Sequence, residues 1–400
     1  MARKVVERLR DGLYILRLDD DQTEYFEALW SIPEGVTYNA YVLVGNAGAV
    51  VFDTWKSSYC SDFIEALKSV VELDRVRYIV VHHAEPDHSG CLRELLEACE
   101  FRPRVLGHPI AEQILRSMYG LEKMVFEPVK DGEERDLCGF RAKFVYIPWL
   151  HWPDTIATYL ADYGALLTCD AFGGFGIPPT ISDSDSGWVD EYYKYVRKYV
   201  ATVVGHYREF IARNIEKIEK LGLKISMIAP AHGLVWSRNP MHIVELYREL
   251  AEAKPRGNKV LMVYSSMYGF VKRVMNLVRD LIEHRGVEVV EYAFTDSNHP
   301  EWSDIVSDAL DARALILGFS AYEASVHPLM KTVLSLLVSK VDAPKPLLVV
   351  YVYGWGPTEA KDVKELLDRS RFRVVDYVPV QGSKLDVERL ERAVNELLKQ

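Results

Sequence analysis

The 400-residue chain has no uncharged run of membrane-spanning length, no low-complexity tract and no cysteine pair spaced as CxxC. Each absence closes a class of function. A bilayer crossing needs about 20 consecutive apolar residues, so no membrane partner is expected. The opening residues Met1-Ala2-Arg3-Lys4 lead into mixed charges rather than an apolar stretch, so no secretory leader is expected and the cytoplasm is the expected location. The five cysteines, Cys60, Cys91, Cys99, Cys138 and Cys169, are odd in number and scattered. That pattern argues against a disulfide framework or a rubredoxin-type iron site, and buried, reduced thiols are expected. Clustered Lys and Arg are missing too, and the formal net charge is −10. A nucleic-acid partner is set aside, because neutralising phosphates needs a basic face.

What is present is the composition of two ordinary cores. Hydrophobic residues make up 49% and charged residues 26% of a chain longer than one core usually grows, so two domains are expected. The first 250 residues or so alternate short β-rich runs, such as Tyr41-Val42-Leu43-Val44 and Ala49-Val50-Val51-Phe52-Asp53, with amphipathic stretches, as α/β domains do. The second run ends on Asp53, which predicts an acidic side chain turned towards a pocket. A further strand, Tyr78-Ile79-Val80-Val81, runs straight into His82-His83-Ala84-Glu85-Pro86-Asp87-His88-Ser89-Gly90, after which Leu92, Leu95, Leu96 and Cys99 recur at helical spacing. The polar cluster therefore belongs on a strand-to-helix loop. The pattern breaks at Ala253-Lys254-Pro255-Arg256-Gly257-Asn258, which places one domain at residues 1–253 and a second at 257–400. In the second, strands are expected at Val260 to Tyr264, Val287 to Phe294, Ala314 to Leu317, Leu347 to Tyr351 and Val374 to Val378, with helical stripes between them. Five parallel strands with crossover helices make a doubly wound, flavodoxin-like sheet.

The densest chemistry is His83-x-Glu85-x-Asp87-His88, four potential ligands in six positions. Three more lie at the ends of separate apolar runs: His151, Asp170 and His232. Together they supply four imidazoles and three carboxylates, enough for two metal ions with two His and one carboxylate each and one bridging carboxylate, for which Asp170 is the expected residue. A lone His or Asp at a strand end is usually a hydrogen-bonding group, so the compact six-residue run carries the inference. His82 would face the opposite way and is expected to be structural. His108, His206, His242, His284 and His299 have no such context.

The order H-x-E-x-D-H, followed by His, Asp and His at long intervals, resembles the metallo-β-lactamase fold and specifically the flavodiiron proteins, also called A-type flavoproteins. The resemblance implies an N-terminal metallo-β-lactamase-like αββα sandwich followed by the flavodoxin-like sheet, over essentially the whole chain and with no added rubredoxin or reductase module. Zinc hydrolases of that fold usually carry His where this chain has Glu85, and a carboxylate there suits redox-active iron better than zinc. The implied cofactors are two irons and FMN. For the flavin, Ser266-Met267-Tyr268-Gly269-Phe270 looks like the family's phosphate loop. Ser320-Ala321-Tyr322 falls in the second flavin loop, and Tyr353-Gly354-Trp355 resembles the aromatic segment beside the isoalloxazine ring. Two positions depart from the pattern: Val271 cannot donate a hydroxyl hydrogen bond, and Glu323 places a carboxylate where it would lower the flavin potential.

The implied activity is reduction of O2 to water or of NO to nitrous oxide, with electrons passing from an external donor such as rubredoxin or a reduced deazaflavin through FMN to the diiron centre. Head-to-tail homodimers or dimers of dimers are the implied assembly. Tyr25, Tyr38 and Trp152 are candidate neighbours of the metals. Two other classes compete: a zinc-dependent hydrolase, against which Glu85 speaks, and a non-catalytic flavoprotein electron carrier or redox sensor, against which the intact ligand set speaks.

Overall fold

The apolar runs of the first half form two stacked sheets. In the computed structural model, which describes residues 2–184, 186–356 and 360–399, the first sheet has seven strands in chain order. They are β1 (Arg3–Arg10), β2 (Leu13–Asp20), β3 (Val36–Gly45), β4 (Gly48–Phe52), β5 (Val76–Val81), β6 (Arg104–Gly107) and β7 (Val125–Pro128). The second has β8 (Glu134–Leu137), β9 (Phe140–Tyr146), β10 (Ile156–Leu160), β11 (Ala165–Cys169) and β12 (Met227–Pro230), again in that order. Alternate side chains of each sheet point into one core: Phe52, Val80 and Leu106 from the first meet Phe144, Leu167 and Ala229 from the second, all without solvent exposure. Helices α1 (Cys60–Lys68), α2 (Pro86–Ser89), α3 (Leu92–Ala98) and α4 (Pro109–Tyr119) follow strands of the first sheet. Between β11 and β12 of the second come α5 (Ser186–Tyr199) and α6 (Arg208–Lys220), and after β12 comes α7 (Pro240–Ala251). On the outer face of the second sheet, Leu166 and Ile228 line one apolar cavity with Ile215 and Ile218 of α6 and Val244 of α7. This is the expected αββα sandwich.

Cys60 and Cys91 depart from expectation. They form a disulfide with Cα atoms 5.1 Å apart, whereas Cys99, Cys138 and Cys169 are free and buried as expected. Their separation of 31 residues carries no sequence signal. What brings them together is Gly90, where an added Cβ would lie 2.3 Å from the Pro86 carbonyl and 2.6 Å from the Ser57 amide. Only a residue without a side chain lets the two backbones approach so closely.

The five long strands of the second unit's sheet are parallel, and a short strand at Ser325–Val326 pairs antiparallel at its edge. The five, β13 (Lys259–Ser265), β14 (Glu288–Phe294), β15 (Ala314–Tyr322), β16 (Pro346–Tyr353) and β17 (Arg373–Gln381), lie in the order β14-β13-β15-β16-β17, the doubly wound order. Val260, Met262 and Tyr264 on one face of β13 pack against α8 (Phe270–Glu283), through Val274 and Val278, and against Leu390 and Val394 of the C-terminal helix at Val387–Leu398. Two compact units result, one of residues 1–26, 32–199 and 207–248, the other of 27–31, 200–206 and 249–400. The second unit thus takes in two short segments of the first half, which no break in the sequence pattern announces.

Candidate metal centre and flavin cavity

All seven predicted ligands come together at one end of the sandwich. β5 runs into His83; Pro86 at the first position of α2 starts the single turn that carries Asp87 and His88; Asp170 follows β11 and His232 follows β12. His151 sits on the β9–β10 loop. The ligand atoms fall into two groups, His83, Glu85, His151 and Asp170 in one, and Asp87, His88 and His232 in the other.

Asp170 joins the groups. Its Oδ2 lies 3.5 Å from His83 Nε2 and 3.7 Å from His151 Nε2, while its Oδ1 lies 2.9 Å from His88 Nε2 and 3.2 Å from His232 Nε2. Glu85 Oε2 stands 3.0 Å from His83 Nε2 and 2.9 Å from His151 Nε2. Asp87 stands 3.4 Å from the Nε2 of both His88 and His232. Both Asp87 oxygens, Asp170 Oδ2 and His232 Nε2 are buried without a hydrogen-bond partner among the described residues. Buried polar atoms without partners are costly unless something else satisfies them, and a converging set of imidazole nitrogens and carboxylate oxygens fits cations. The donor set therefore fits two metal ions.

The electrostatics point the same way. Burial opposes charge on His232, but the carboxylates of Asp170 and Asp87, 3.2 and 3.4 Å from its Nε2, outweigh it and raise the imidazole to about 10. Against the same burial, hydrogen bonds with Asp154 and Glu85 raise His83 well above the usual range, and the charge on His88 helps hold Asp170 well below the usual carboxylate range. In the metal-free chain protons sit where cations would, and metal binding must displace them.

A pH dependence follows for the metal-free protein. Asp170 contributes stability above the ordinary Asp value of 3.8 and loses it as pH falls towards its depressed value; His232 contributes below 6.5 and loses it as pH rises through about 10. Chelator-treated protein should melt highest between about pH 4 and 6.5. A melting temperature that climbs steadily above that window would refute the pairing.

Several supporting residues carry no sequence signal of their own. Asp154 is fully buried, accepts a hydrogen bond from the Ala84 amide at 2.8 Å and places its other oxygen 3.2 Å from His83 Nδ1. Tyr199, at the end of α5, donates to Asp170 Oδ1 at 2.9 Å. His232 Nδ1 donates to the Thr37 carbonyl at 2.7 Å in the tautomer that leaves Nε2 free. Asp53 does not face the cluster: its carboxylate takes the His82 amide at 2.8 Å and the His82 ring at 2.7 Å, and the other ring nitrogen meets Thr158. His82 is structural, as expected, and stacks on Phe52. Trp152 and Tyr38 lie edge-on to His83 and His232, whereas Tyr25 is 47% exposed.

In the second unit the three loops expected to hold the flavin surround a cavity of about 610 Å³. It is lined by Ser266, Met267, Tyr268 and Phe270, by Ser320, Ala321 and Tyr322, and by Tyr353, Gly354 and Trp355. Gly269 is absent from the lining and instead turns the chain at φ +78° into α8. Trp355 is 99% and Tyr268 84% exposed, large planar surfaces at a cavity wall, and Ser320 Oγ is buried without a hydrogen-bond partner among the described residues. A flat aromatic ligand with polar edges fits these walls. Val271, in the first turn of α8, packs into the core and also borders the cavity without offering a hydroxyl, and the Ser266 hydroxyl accepts the Lys272 amide at 3.2 Å. Glu323 and Ala324, both at positive φ, turn a hairpin that pairs Tyr322 with Ser325 and brings Glu323 to the cavity.

Fold and site together define a metallo-β-lactamase-like domain with a dinuclear donor set, followed by a flavodoxin-like domain with an open ring-sized cavity. Residues 36–233 match the family model described as ODP family beta lactamase. The chain is 40% identical to a flavo di-iron protein from Thermotoga maritima, over 100% of this chain and 99% of that one, with a TM-score of 0.95. It is 29% identical to a nitric oxide reductase of Moorella thermoacetica, covering 92% of this chain and 90% of that protein. It is 27% identical to a rubredoxin-oxygen oxidoreductase of Megalodesulfovibrio gigas, covering 91% and 90%. The chain belongs to the flavodiiron protein family.

Proposed function

We propose that this chain is an oxidoreductase that reduces O2 to water or NO to nitrous oxide, taking electrons from an external donor through FMN to a diiron centre. The observation that carries the reading is Asp170, which turns one carboxylate oxygen to each group of imidazoles. His83, Glu85 and His151 would hold one iron and Asp87, His88 and His232 the other, with Asp170 shared. Ser266 to Phe270, Ser320 to Tyr322 and Tyr353 to Trp355 would hold FMN. When bound, two ferrous ions and reduced FMN supply the four electrons that reduction of O2 to water requires.

The chain's own residues do the rest. Glu85 in place of a third imidazole makes the donor set harder and more anionic, which favours iron over zinc and speaks against a hydrolase. Burial, aided by the charge of Asp170, keeps the Tyr199 hydroxyl protonated well above its ordinary range, so a proton is held at Tyr199 Oη, against Asp170. The imidazoles of His83, His88 and His232 are at most 1% exposed, which keeps bulk water from them. No helix among the described residues is long and apolar enough to cross a membrane. Rubredoxin or a reduced deazaflavin would serve as donor, and a head-to-tail homodimer or dimer of dimers as the assembly.

Purified protein should hold two irons and one FMN per chain, and flavin reduced anaerobically should be reoxidised by O2 or NO. Zinc without flavin, together with hydrolytic turnover, would overturn the reading. A monomer with full turnover would count against the dimer alone.

A further inference from the structure

The seven donors look symmetric in number, but their supports differ. Among the described residues, His83 is the one imidazole of the four with a carboxylate behind it. Asp154 Oδ1 lies 3.2 Å from His83 Nδ1, and its Oδ2 is pinned by the Ala84 amide at 2.8 Å, so the side chain cannot turn away. The counterpart in the other group, His232, has only a neutral carbonyl behind it, that of Thr37 at 2.7 Å. Among the described residues, the carboxylates beside His88 and His151 stand at Nε2, the nitrogen that faces the site.

A carboxylate on the far nitrogen does three things to a metal-binding imidazole. It fixes the proton on Nδ1, so that Nε2 presents its lone pair; it holds the ring plane; and it makes the imidazole a stronger donor than a carbonyl partner does. Asp154 is fully buried, so its negative charge is poorly screened by solvent and adds to the attraction felt by a cation in front of His83. Glu85 and Asp170 Oδ2 already stand on that side.

We propose that Asp154 is a positioning residue that makes the two metal positions unequal, so that the ion held by His83, Glu85 and His151 binds first and leaves last. This rests on the reading of the seven residues as a two-metal site. Asp154 touches neither ion and acts through His83. The ion between Asp87, His88 and His232 is then the labile one, and the purified protein passes through a one-metal state as metal is withdrawn.

The test begins with the unmodified holoprotein. Graded dialysis against EDTA, followed by iron analysis and Mössbauer spectra, should remove iron in two steps, with one of two spectral components lost first. Asp154→Asn keeps the size and one acceptor oxygen, for the Ala84 amide, and replaces the charged oxygen behind His83 by a neutral NH2. It should weaken the later-released iron by roughly 10- to 100-fold, merge the two steps and shift the spectrum of that component alone. Asp154→Glu should restore part of the difference. Asp87→Asn, in the other group, should weaken the first-released iron instead. FMN content and circular dichroism establish that each variant is folded, and the wild-type dialysis stands without any variant. Loss of both irons in one step from wild-type protein overturns the proposal, as does an Asp154→Asn protein whose two steps are unchanged. A protein that takes up no Fe(II) or Co(II) at all overturns the two-metal reading itself, a different outcome from two equal sites.

Discussion

Asp170→Ala should leave a folded protein that no longer holds two irons and whose O2 or NO consumption falls by about a thousandfold or more, as when one member of a unit that acts together is removed. Asp170 is 1% exposed and the only residue of the seven whose oxygens approach imidazoles of both groups, at 2.9 to 3.7 Å. Any other ligand lost leaves one group with three donors and the other with four; Asp170 lost takes one from each. The four imidazoles would then face one another with only Glu85 and Asp87 to offset a bound dication. The Tyr199 hydroxyl, which donates to Asp170 Oδ1, would lose its acceptor inside a buried site. The variant should still bind FMN, because the flavin cavity lies in the other unit and shares no residue with the cluster. Iron and flavin are therefore measured on the same preparation: FMN retained with iron lost is the expected pair. Two irons retained with full turnover would sink the bridging role of Asp170.

The legibility of the site in the sequence varied with the range of the signal. The run from His83 to His88 is short, so spacing alone brings its ligands together, and a strand before it with helical spacing after it fixes its place in the fold. His151, Asp170 and His232 are isolated in sequence, and only the ends of apolar strands mark them. The five strands of the flavin domain are legible for a similar reason: a parallel sheet buried on both faces leaves unbroken apolar runs such as Val260 to Tyr264. Asp154 is different. Its role depends on a fully buried hydrogen bond to a residue 71 positions away, and an Asp after Pro reads equally well as a turn residue. Tyr199 lies in an aromatic-rich helix where nothing sets it apart from Tyr192 or Tyr195. Asp53 misleads because a strand-end carboxylate has the same local pattern whether it faces a pocket or grips a neighbouring histidine. The Cys60–Cys91 bridge escaped because an odd, scattered count says nothing about which backbones a glycine lets touch.

Gly233 makes the last case, where a single methyl group tests both packing and the metal site. Its backbone has φ +77°, and a Cβ built there would lie 1.7 Å from Tyr192 Oη and 3.1 Å from the Gly174 carbonyl. Tyr192 cannot step aside cheaply: it is 1% exposed and packed against Trp188 and Trp236. Gly132 supplies the control, because it has the same φ of +77° with nothing within 4 Å of an added Cβ. Alanine at Gly132 should carry only the left-handed backbone cost of about 1 kcal/mol. Alanine at Gly233 should add overpacking of roughly 1–3 kcal/mol, for a melting temperature lower by roughly 5–10 °C. The damage should also reach chemistry. The Gly233 amide donates to Thr37 Oγ1 at 2.7 Å, and the Thr37 carbonyl holds His232 Nδ1, so a displaced Gly233 moves the imidazole that stands 3.2 Å from Asp170. Gly233→Ala should thus lower iron content at the His88 and His232 position, while Gly132→Ala keeps both irons. Equal melting temperatures and equal iron in the two variants would show that the contact with Tyr192 carries no weight, and that His232 is placed by its strand alone.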